Sequence, residues 1–421
     1  MILYKGEIFE NSEQSRLLSS LKTDIFSTLK NEICPNHDIV IDACDKLYRK
    51  VINHEFDNLV EPLLKLMHVS NEMFSRYASC FSKEGLLKKV KIELGDLINT
   101  PDSLNEDNTR LYVPYGVLFH IAAGNIDLLP AFSVIEGLLV GNINILKLPT
   151  GDSGLSIILL NELIKIEPRL KNYIYVFDVS SVEVDTIKFL ANLSDLTIVW
   201  GGKSVAKAAR QFVDIDTELI VWGHKISFAY IDNNIEDDEL YDLAKSICLT
   251  NQLLCSSIQG VYINTNNKED LKKFAERFLP IFKDVSNKLN TLPLTMKAKN
   301  SLTLYNEMLE GNKDSIYKDG GVSIVLKNDS KLELSLLYQN IWVKALSDDQ
   351  IIECLKDNKN LLQTVSINKK LANKNIIEEK LFKAGVTRIT YLDDNLRMIP
   401  GENHDGQYPL RRYIKIVEKP E

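Results

Sequence analysis

Leu196-Thr-Ile-Val-Trp200-Gly201-Gly202-Lys203-Ser204 is the stretch from which the architecture can be read. Leu196 to Trp200 is a short apolar run with β-branched members, and Ser204 to Phe212 carries helical periodicity. A second apolar run, Glu218 to Trp222, follows. A strand, a tight turn, a helix of about ten residues and another strand make the repeating unit of a parallel sheet, because parallel neighbours need a crossover connection. Upstream the alternation continues. Asn144 to Leu148 and Tyr173 to Val179 read as strands, and Leu155 to Ile166 and Glu183 to Ala191 as helices. Leu111 to Ala123 reads as one strand bent near Pro114 and Gly116, and Pro130 to Val140 as a buried helix ending near Gly141. Downstream, strand Ser227 to Asp232 leads into a helix from Glu236 to Leu249, whose first-turn acids complement its dipole. Strand Gly260 to Asn264 and an amphipathic helix, Lys268 to about Lys288, follow. Residues 290–395 look like a second α/β unit, with strands near Ser323–Leu326, Asn340–Val343 and Thr364–Ile367. The first hundred residues read as helical, notably Asn11 to Lys30 and Asn71 to Ile98, and the tail holds a strand at Tyr413 to Val417.

The chain has 421 residues, 45% hydrophobic and 26% charged, enough for two or three domains with ordinary cores. A net charge of -8 argues against a nucleic-acid binder, which needs a basic face. The most apolar stretch, Ile121 to Leu148, is interrupted by Asn125, Asp127, Pro130 and Glu136, so it predicts buried core and not a membrane span. No leader-like start is visible. The six cysteines contain no C-x-x-C pair, which favours a reducing, cytoplasmic setting and neither a zinc site nor a disulfide framework.

Four local patterns carry chemistry. Gly201-Gly202 ends a strand and opens a helix, a placement that offers main-chain N–H groups to a pyrophosphate. It is no P-loop, since the glycine needed five residues before Gly202 is Thr197, and no G-x-G-x-x-G follows a strand. Lys147 closes an apolar strand, where α/β sheets bind ligands; a solvated strand-end lysine is the plainer reading. Cys255 sits in a polar segment at a helix-to-loop junction, unlike Cys248 within its helix, and is a candidate nucleophile; a packing cysteine is the commoner case. His404, in Gly401-Glu-Asn-His404-Asp405-Gly406, is a candidate acid or base, against a plain Asp-Gly surface turn. His224 and His120 flank predicted strands and read first as structural histidines.

In order and spacing, these patterns resemble the aldehyde dehydrogenase superfamily. The residues are Pro114-Tyr-Gly116 with Gly124-Asn125, Asn144-Ile-Leu-Lys147-Leu-Pro149, Trp200-Gly201-Gly202, Val221-Trp-Gly223-His-Lys225 and Asn251-Gln252-Leu-Leu-Cys255. Cys255-Ser-Ser and the late His404-Asp405-Gly406 are most similar to the acyl-CoA reductases of the bacterial luminescence type. The resemblance implies two Rossmann-like α/β domains: residues 1–222 with the helical region and cofactor domain, and residues 223–395 with the catalytic cysteine. Residues 396–421 would form a tail returning to the cofactor domain and an oligomer interface, in a homodimer or homotetramer. It implies Cys255 as nucleophile, Asn125 and the Cys255 amide as oxyanion donors, Lys147 at the adenosine ribose, and Gly201 and Gly202 at the pyrophosphate.

Two departures from the family pattern bear on the reaction. Acid-forming relatives carry a water-activating glutamate where this chain has Val221, which cannot accept a proton, so an acyl-enzyme would survive for reduction. NAD-preferring relatives carry a glutamate where this chain has Thr150, which favours NADPH. The expectation is therefore reduction of an acyl thioester, from acyl-CoA or an acylated carrier protein, with an acyl-protein synthetase as a further partner. His404 or His224 would be the acid or base, and no metal is required. The alternatives are an acyl-phosphate reductase of the same superfamily, an aldehyde oxidiser using Glu218 as base, and a silent acyl-channelling scaffold.

Overall fold

The computed structural model describes residues 1–67, 71–95, 102–105, 108–122, 129–312 and 315–420. Among them the chain divides into two units. The first comprises Met1–Leu63, Phe74–Gly223 and Met398–Glu421, and the second Leu64–Met73 and His224–Arg397.

The first unit holds β1 (Ile2–Tyr4), β2 (Glu7–Phe9), β3 (Asp102–Asn105), β4 (Asn108–Pro114), β5 (Val117–Ile121), β6 (Ile143–Lys147), β7 (Ile174–Phe177), β8 (Leu196–Trp200) and β9 (Glu218–Trp222). Its main sheet has the order β2-β1-β7-β6-β5-β8-β9, and β5 to β9 are mutually parallel. Every residue of β5, β6, β7 and β8 is buried, as expected of parallel strands covered on both faces. Helix Leu129–Leu139 is buried along almost its whole length, because helix His37–Ile52 packs over it and over helix Leu155–Ile166. Helix Lys203–Phe212 buries only Ala209.

The second unit holds β10 (Ile226–Ile231), β11 (Ile258–Ile263), β12 (Ile316–Asp319), β13 (Val322–Leu326), β14 (Asn340–Ala345), β15 (Leu362–Ile367) and β16 (Arg388–Tyr391). Their order is β12-β13-β14-β11-β10-β15-β16, with β12 the antiparallel member. Helix Lys268–Leu289 covers one face, its Phe274, Phe278 and Phe282 stacked one turn apart at 5.3 and 5.2 Å between ring centroids. After this unit the chain returns to the first. There β17 (Ile414–Pro420) pairs antiparallel with β4, which pairs with β3.

The two main sheets share one wiring. The order β7-β6-β5-β8-β9 in the first matches β14-β11-β10-β15-β16 in the second. In the first, the chain adds β6 and β7 to one side of β5 and then crosses to the other side; in the second it places β11, the β12–β13 hairpin and β14 on one side of β10 before it crosses. This leaves a topological switch point between β5 and β8, and between β10 and β15.

Four boundaries differ from the sequence reading. The chain opens not with helix but with a β1–β2 hairpin whose Leu3 pairs with Val176 of β7. Three-residue strands are too short to show a period. The single helix expected over Asn71 to Ile98 is two, Asn71–Ser79 and Lys83–Glu93, broken where the Ser82 hydroxyl accepts the Gly85 N–H at 3.1 Å. Residues 96–98 lie outside the described residues. The strand expected over Leu111 to Ala123 is β4 and β5, in different sheets. Gly116 turns between them at φ +130°, and a Cβ there would lie 2.4 Å from Asp195 Oδ2. Finally, β17 starts at Ile414, because Tyr413 is fully buried and its carbonyl accepts the Asn142 side chain at 2.9 Å. No helix among the described residues is long and apolar enough to cross a membrane.

Candidate active site

In the first unit the candidate residues gather at the carboxyl ends of the strands. Gly201 and Gly202 follow β8, one of the two strands at the switch point. The Gly201 N–H bonds the Trp222 carbonyl at the end of β9 (3.1 Å). Gly202 is the N-cap of helix Lys203–Phe212 and supplies no capping side chain, so the first helical N–H groups are not met from that residue. A Cβ on Gly202 would meet nothing within 4 Å, whereas one on Gly201 would come within 3.2 Å of Val205. Lys147 ends β6 and is 5% exposed, with its ammonium donating to the Leu148 carbonyl at 2.9 Å. Burial lowers its pKa, against the opposing fields of Asp178 and Glu183. Thr150, three residues on, is exposed.

The tail brings His404 to this same edge. Its ring packs against both Trp200, at the end of β8, and Trp222, at the end of β9, with centroids 5.1 and 4.8 Å away and both contacts edge-to-face. Main-chain bonds between His404 and Gln407 at 2.8 and 2.9 Å close the turn that presents it. Its side chain is 35% exposed. Behind Trp200 runs a buried relay. The indole N–H donates to Ser133 Oγ at 3.0 Å, and Ser133 meets His120 Nδ1 at 2.7 Å. His120 Nε2 lies 3.0 Å from Asn144 Oδ1. The Asn144 amide nitrogen donates elsewhere, so its oxygen accepts and His120 carries its proton on Nε2. Full burial pushes the His120 pKa down to about 4, so it is neutral and structural.

In the second unit the candidate lies at the opposite edge. Cys255 is partly exposed, in the loop between helix Asp237–Thr250 and the amino end of β11. Its carbonyl accepts the Ser227 hydroxyl at 2.6 Å, and that hydroxyl oxygen also accepts the Thr364 N–H at 3.0 Å. Asn395 Nδ2 reaches the next carbonyl, of Ser256, at 3.3 Å. Leu254 and Ser257 close the loop on each other: the Ser257 N–H meets the Leu254 carbonyl at 3.0 Å, and the Leu254 N–H meets Ser257 Oγ at 3.1 Å. Asn251 and Gln252, just before it, are left-handed at φ 47° and 64°. Non-glycine residues held there cost of order 1–3 kcal/mol each, and persist only where their surroundings over-determine them.

Of the remaining expected residues, Asn125 lies outside the described residues and His224 is exposed beyond the end of β9. Glu218 begins β9 and is tied to Tyr115 and Arg412. Burial raises its pKa, but those two hydrogen bonds and the Arg412 charge outweigh it, and the carboxyl titrates below its ordinary range. Val221 follows within β9, paired with Val199. The sequence reading missed the packing of His404 against Trp200 and Trp222 and the Ser227 anchor on Cys255. A tryptophan ending each of two successive strands was the available signal for the first. Nothing local announced the second, since Ser227 and Cys255 are 28 residues apart.

A family model for acyl-CoA reductase (LuxC) matches residues 35–416. A long-chain acyl-protein thioester reductase of Aliivibrio fischeri is 27% identical over 348 residues, covering 80% of this chain and 71% of that protein. Its namesake from Photorhabdus luminescens is 23% identical over 380 residues, covering 85% and 76%. Among solved structures, the Δ-pyrroline-5-carboxylate dehydrogenase of Mycobacterium tuberculosis superposes with a TM-score of 0.69 at 12% identity, covering 96% of this chain and 82% of that one. An aldehyde dehydrogenase fold thus carries this sequence, and the chain belongs to the acyl-CoA reductase (LuxC) family.

Proposed function

We propose that this protein reduces an acyl thioester to the aldehyde through an acyl group carried on Cys255, with NADPH as reductant. The observation that carries the reading is Cys255 itself, a partly exposed thiol in a polar loop with its own carbonyl and the next one pinned. The Cys255 thiolate attacks the thioester carbonyl, a carbon–sulfur bond forms, and the donor thiolate leaves. One thioester replaces another, so little driving force is needed and orientation dominates. Asn125 and the Cys255 amide stabilise the oxyanion; one such donor is typically worth about 3 kcal/mol in the transition state. NADPH, which Lys147, Gly201 and Gly202 would hold, would supply the hydride that takes the acyl carbon to the aldehyde level. Collapse then breaks the bond to Cys255 and returns its thiolate. His404 protonates the departing donor thiolate. Val221 offers no base to activate water, which spares the acyl-enzyme from hydrolysis.

The cofactor reading rests on the carboxyl edge of the first sheet. Gly202 leaves space beside a helix amino terminus, which suits a pyrophosphate. Lys147 is an ammonium that burial disfavours, and an anionic 2′-phosphate would offset that cost. The acyl donor is a thioester of CoA or of a carrier protein; the relatives are named for acyl-protein thioesters. The assembly is a homodimer or homotetramer, with β17 and its exposed Ile416 and Val417 as the interface strand.

The test is to incubate the wild type and Cys255→Ser with labelled acyl-CoA and to follow NADPH oxidation across chain lengths, with acyl phosphate alongside. Labelling that needs Cys255, with aldehyde as product, is expected. Label that still attaches to Cys255→Ser, or turnover with acyl phosphate alone, would overturn the scheme.

A further inference from the structure

Gln252 stands three residues ahead of Cys255, is 1% exposed, and is left-handed at φ 64°. Its carboxamide is fully engaged. Oε1 accepts the main-chain N–H groups of Gln339 (3.0 Å) and Asn340 (3.2 Å). Nε2 donates towards the carbonyls of Ile258 (3.1 Å) and Asn340 (2.9 Å) and to Ser335 Oγ (3.0 Å). The Gln252 carbonyl accepts Gln259 Nε2 at 2.9 Å. One side chain therefore ties together the loop bearing Cys255, the start of β11, the start of β14 and the segment before it.

That last segment is unusual. Leu337, Tyr338 and Gln339 are consecutive left-handed residues, at φ 62°, 50° and 66°. The Tyr338 N–H bonds the Asn251 carbonyl at 3.0 Å, and Gln339 Nε2 reaches Asn251 Oδ1 at 3.1 Å. Ser335 Oγ accepts the Leu337 N–H at 3.0 Å and donates to Gln259 Oε1 at 2.9 Å. Two left-handed runs, 251–252 and 337–339, thus hold each other in place. Glycine would adopt such backbone without strain. This chain has amide side chains at three of the five positions, so the hydrogen bonds, and not ease of turning, account for these residues.

We infer that Gln252 is a positioning residue for the nucleophile: its carboxamide locks the two left-handed runs together and so fixes where Cys255 Sγ points. The inference rests on Cys255 being the acylated residue. Gln252 touches no reacting atom. Without its carboxamide the left-handed backbone at Gln252 loses its support, and relaxation there swings the short loop that ends in the thiol.

The test compares Gln252→Met, which keeps the length and loses every bond, and Ser335→Ala, which removes one partner. Three quantities are read: alkylation of Cys255 by iodoacetamide, followed by peptide mass spectrometry; single-turnover transfer from a long-chain acyl-CoA; and NADPH affinity by fluorescence. In Gln252→Met, acyl transfer should slow about 100-fold, as a nucleophile displaced by about 1 Å would. Alkylation should slow with it, while the affinity for NADPH holds. In Ser335→Ala the slowing should be about tenfold, as for one neutral hydrogen bond. Folded variants with wild-type alkylation and acylation rates would overturn the inference, and if Gln252→Met does not fold, Ser335→Ala decides it. A wild type alkylated at Cys255 yet never acylated would instead refute the proposed reaction, and the alkylation rates would still judge Gln252.

Discussion

The two sheets share the wiring of five strands and carry their candidate residues at opposite strand ends. In the first unit, Gly201, Gly202, Lys147 and His404 collect where the parallel strands finish. In the second, Cys255 lies where β11 begins, beside the start of β10. The carboxyl edge is the ordinary place for a ligand, since crossover helices begin there and present N–H groups. The candidate residues there are correspondingly plain, two glycines and a strand-end lysine. The amino edge has no such provision. The helix ending beside Cys255 presents its carboxyl terminus, where the macrodipole disfavours an anion. Order there comes instead from side-chain amides and hydroxyls that fix a left-handed loop. Shared topology thus leaves the candidate residues of one unit at its strand ends and those of the other in a loop held by side chains.

Removing His404 is the strongest way to break that division. If the carboxyl edge contributes chemistry as well as binding, His404→Ala should lower kcat by about 10²- to 10⁴-fold, the usual range for a lost acid or base. NADPH affinity should stay near wild type. Stopped-flow acylation and steady-state reduction, measured together, locate the loss. An unchanged kcat would remove His404 as the acid or base.

Stability should respond to acid through the same unit. An unfolded histidine takes a proton near pH 6.5, while burial holds His120 to about 4. Between those values the unfolded chain binds more protons, so this contribution is present above about 6.5 and is lost as the pH falls towards 4. The difference of two and a half pKa values sets a ceiling of about 3 kcal/mol. Glu136 acts in the opposite sense, its carboxyl pushed up by burial against the pull of Lys89. The measurement is therefore the difference between wild type and His120→Gln in urea midpoint from pH 7 to 4.5. The wild type should lose more, and parallel curves would mean that the Ser133–His120–Asn144 relay is not protonated on unfolding.

Val221→Glu tests the fate of the acyl group proposed on Cys255. A carboxylate at the position that acid-forming relatives use should let water compete for the acyl group on Cys255. Release of acid without NADPH oxidation should rise by about 10²-fold, the lower range for a general base. Mass spectrometry of the product and the decay of labelled enzyme measure it. A stable acyl-enzyme would show that the residue at position 221 does not decide whether the acyl group is hydrolysed.

How much could be read beforehand follows from length and locality. Strands β8 and β9 and helix Leu155–Ile166 were legible to the residue, since each is a long apolar run bounded by turn residues. The β1–β2 hairpin was not, because its three-residue strands owe their place to β7 rather than to any period of their own. Gly116 was seen as a bend, but that it separates two sheets depends on Asp195, 79 positions away in sequence. The candidate site divides in the same way. Cys255, Lys147 and the double glycine stood out by residue type and neighbours. The partners that hold Cys255, namely Ser227, Asn395 and the 335–340 segment, are distant in sequence and chemically ordinary, and only the fold brings them together.

The smallest expected effect is the most selective one. Thr150 is exposed, three residues past the buried Lys147, and the fields of Asp178 and Glu183 already reach that ammonium. A third acidic group, placed by Thr150→Glu, would meet the 2′-phosphate of NADPH across partly solvated space, where like charges about 4 Å apart cost about 1–4 kcal/mol. The same carboxylate could accept the free 2′-hydroxyl of NADH. The ratio of kcat/KM for NADPH over NADH should therefore fall about tenfold, the lower part of that range, while the rate of Cys255 acylation stays the same. A ratio that does not move would mean that the adenosine ribose is not read at the end of β6, and the task of Lys147 would then be to hold its own strand end through the Leu148 carbonyl.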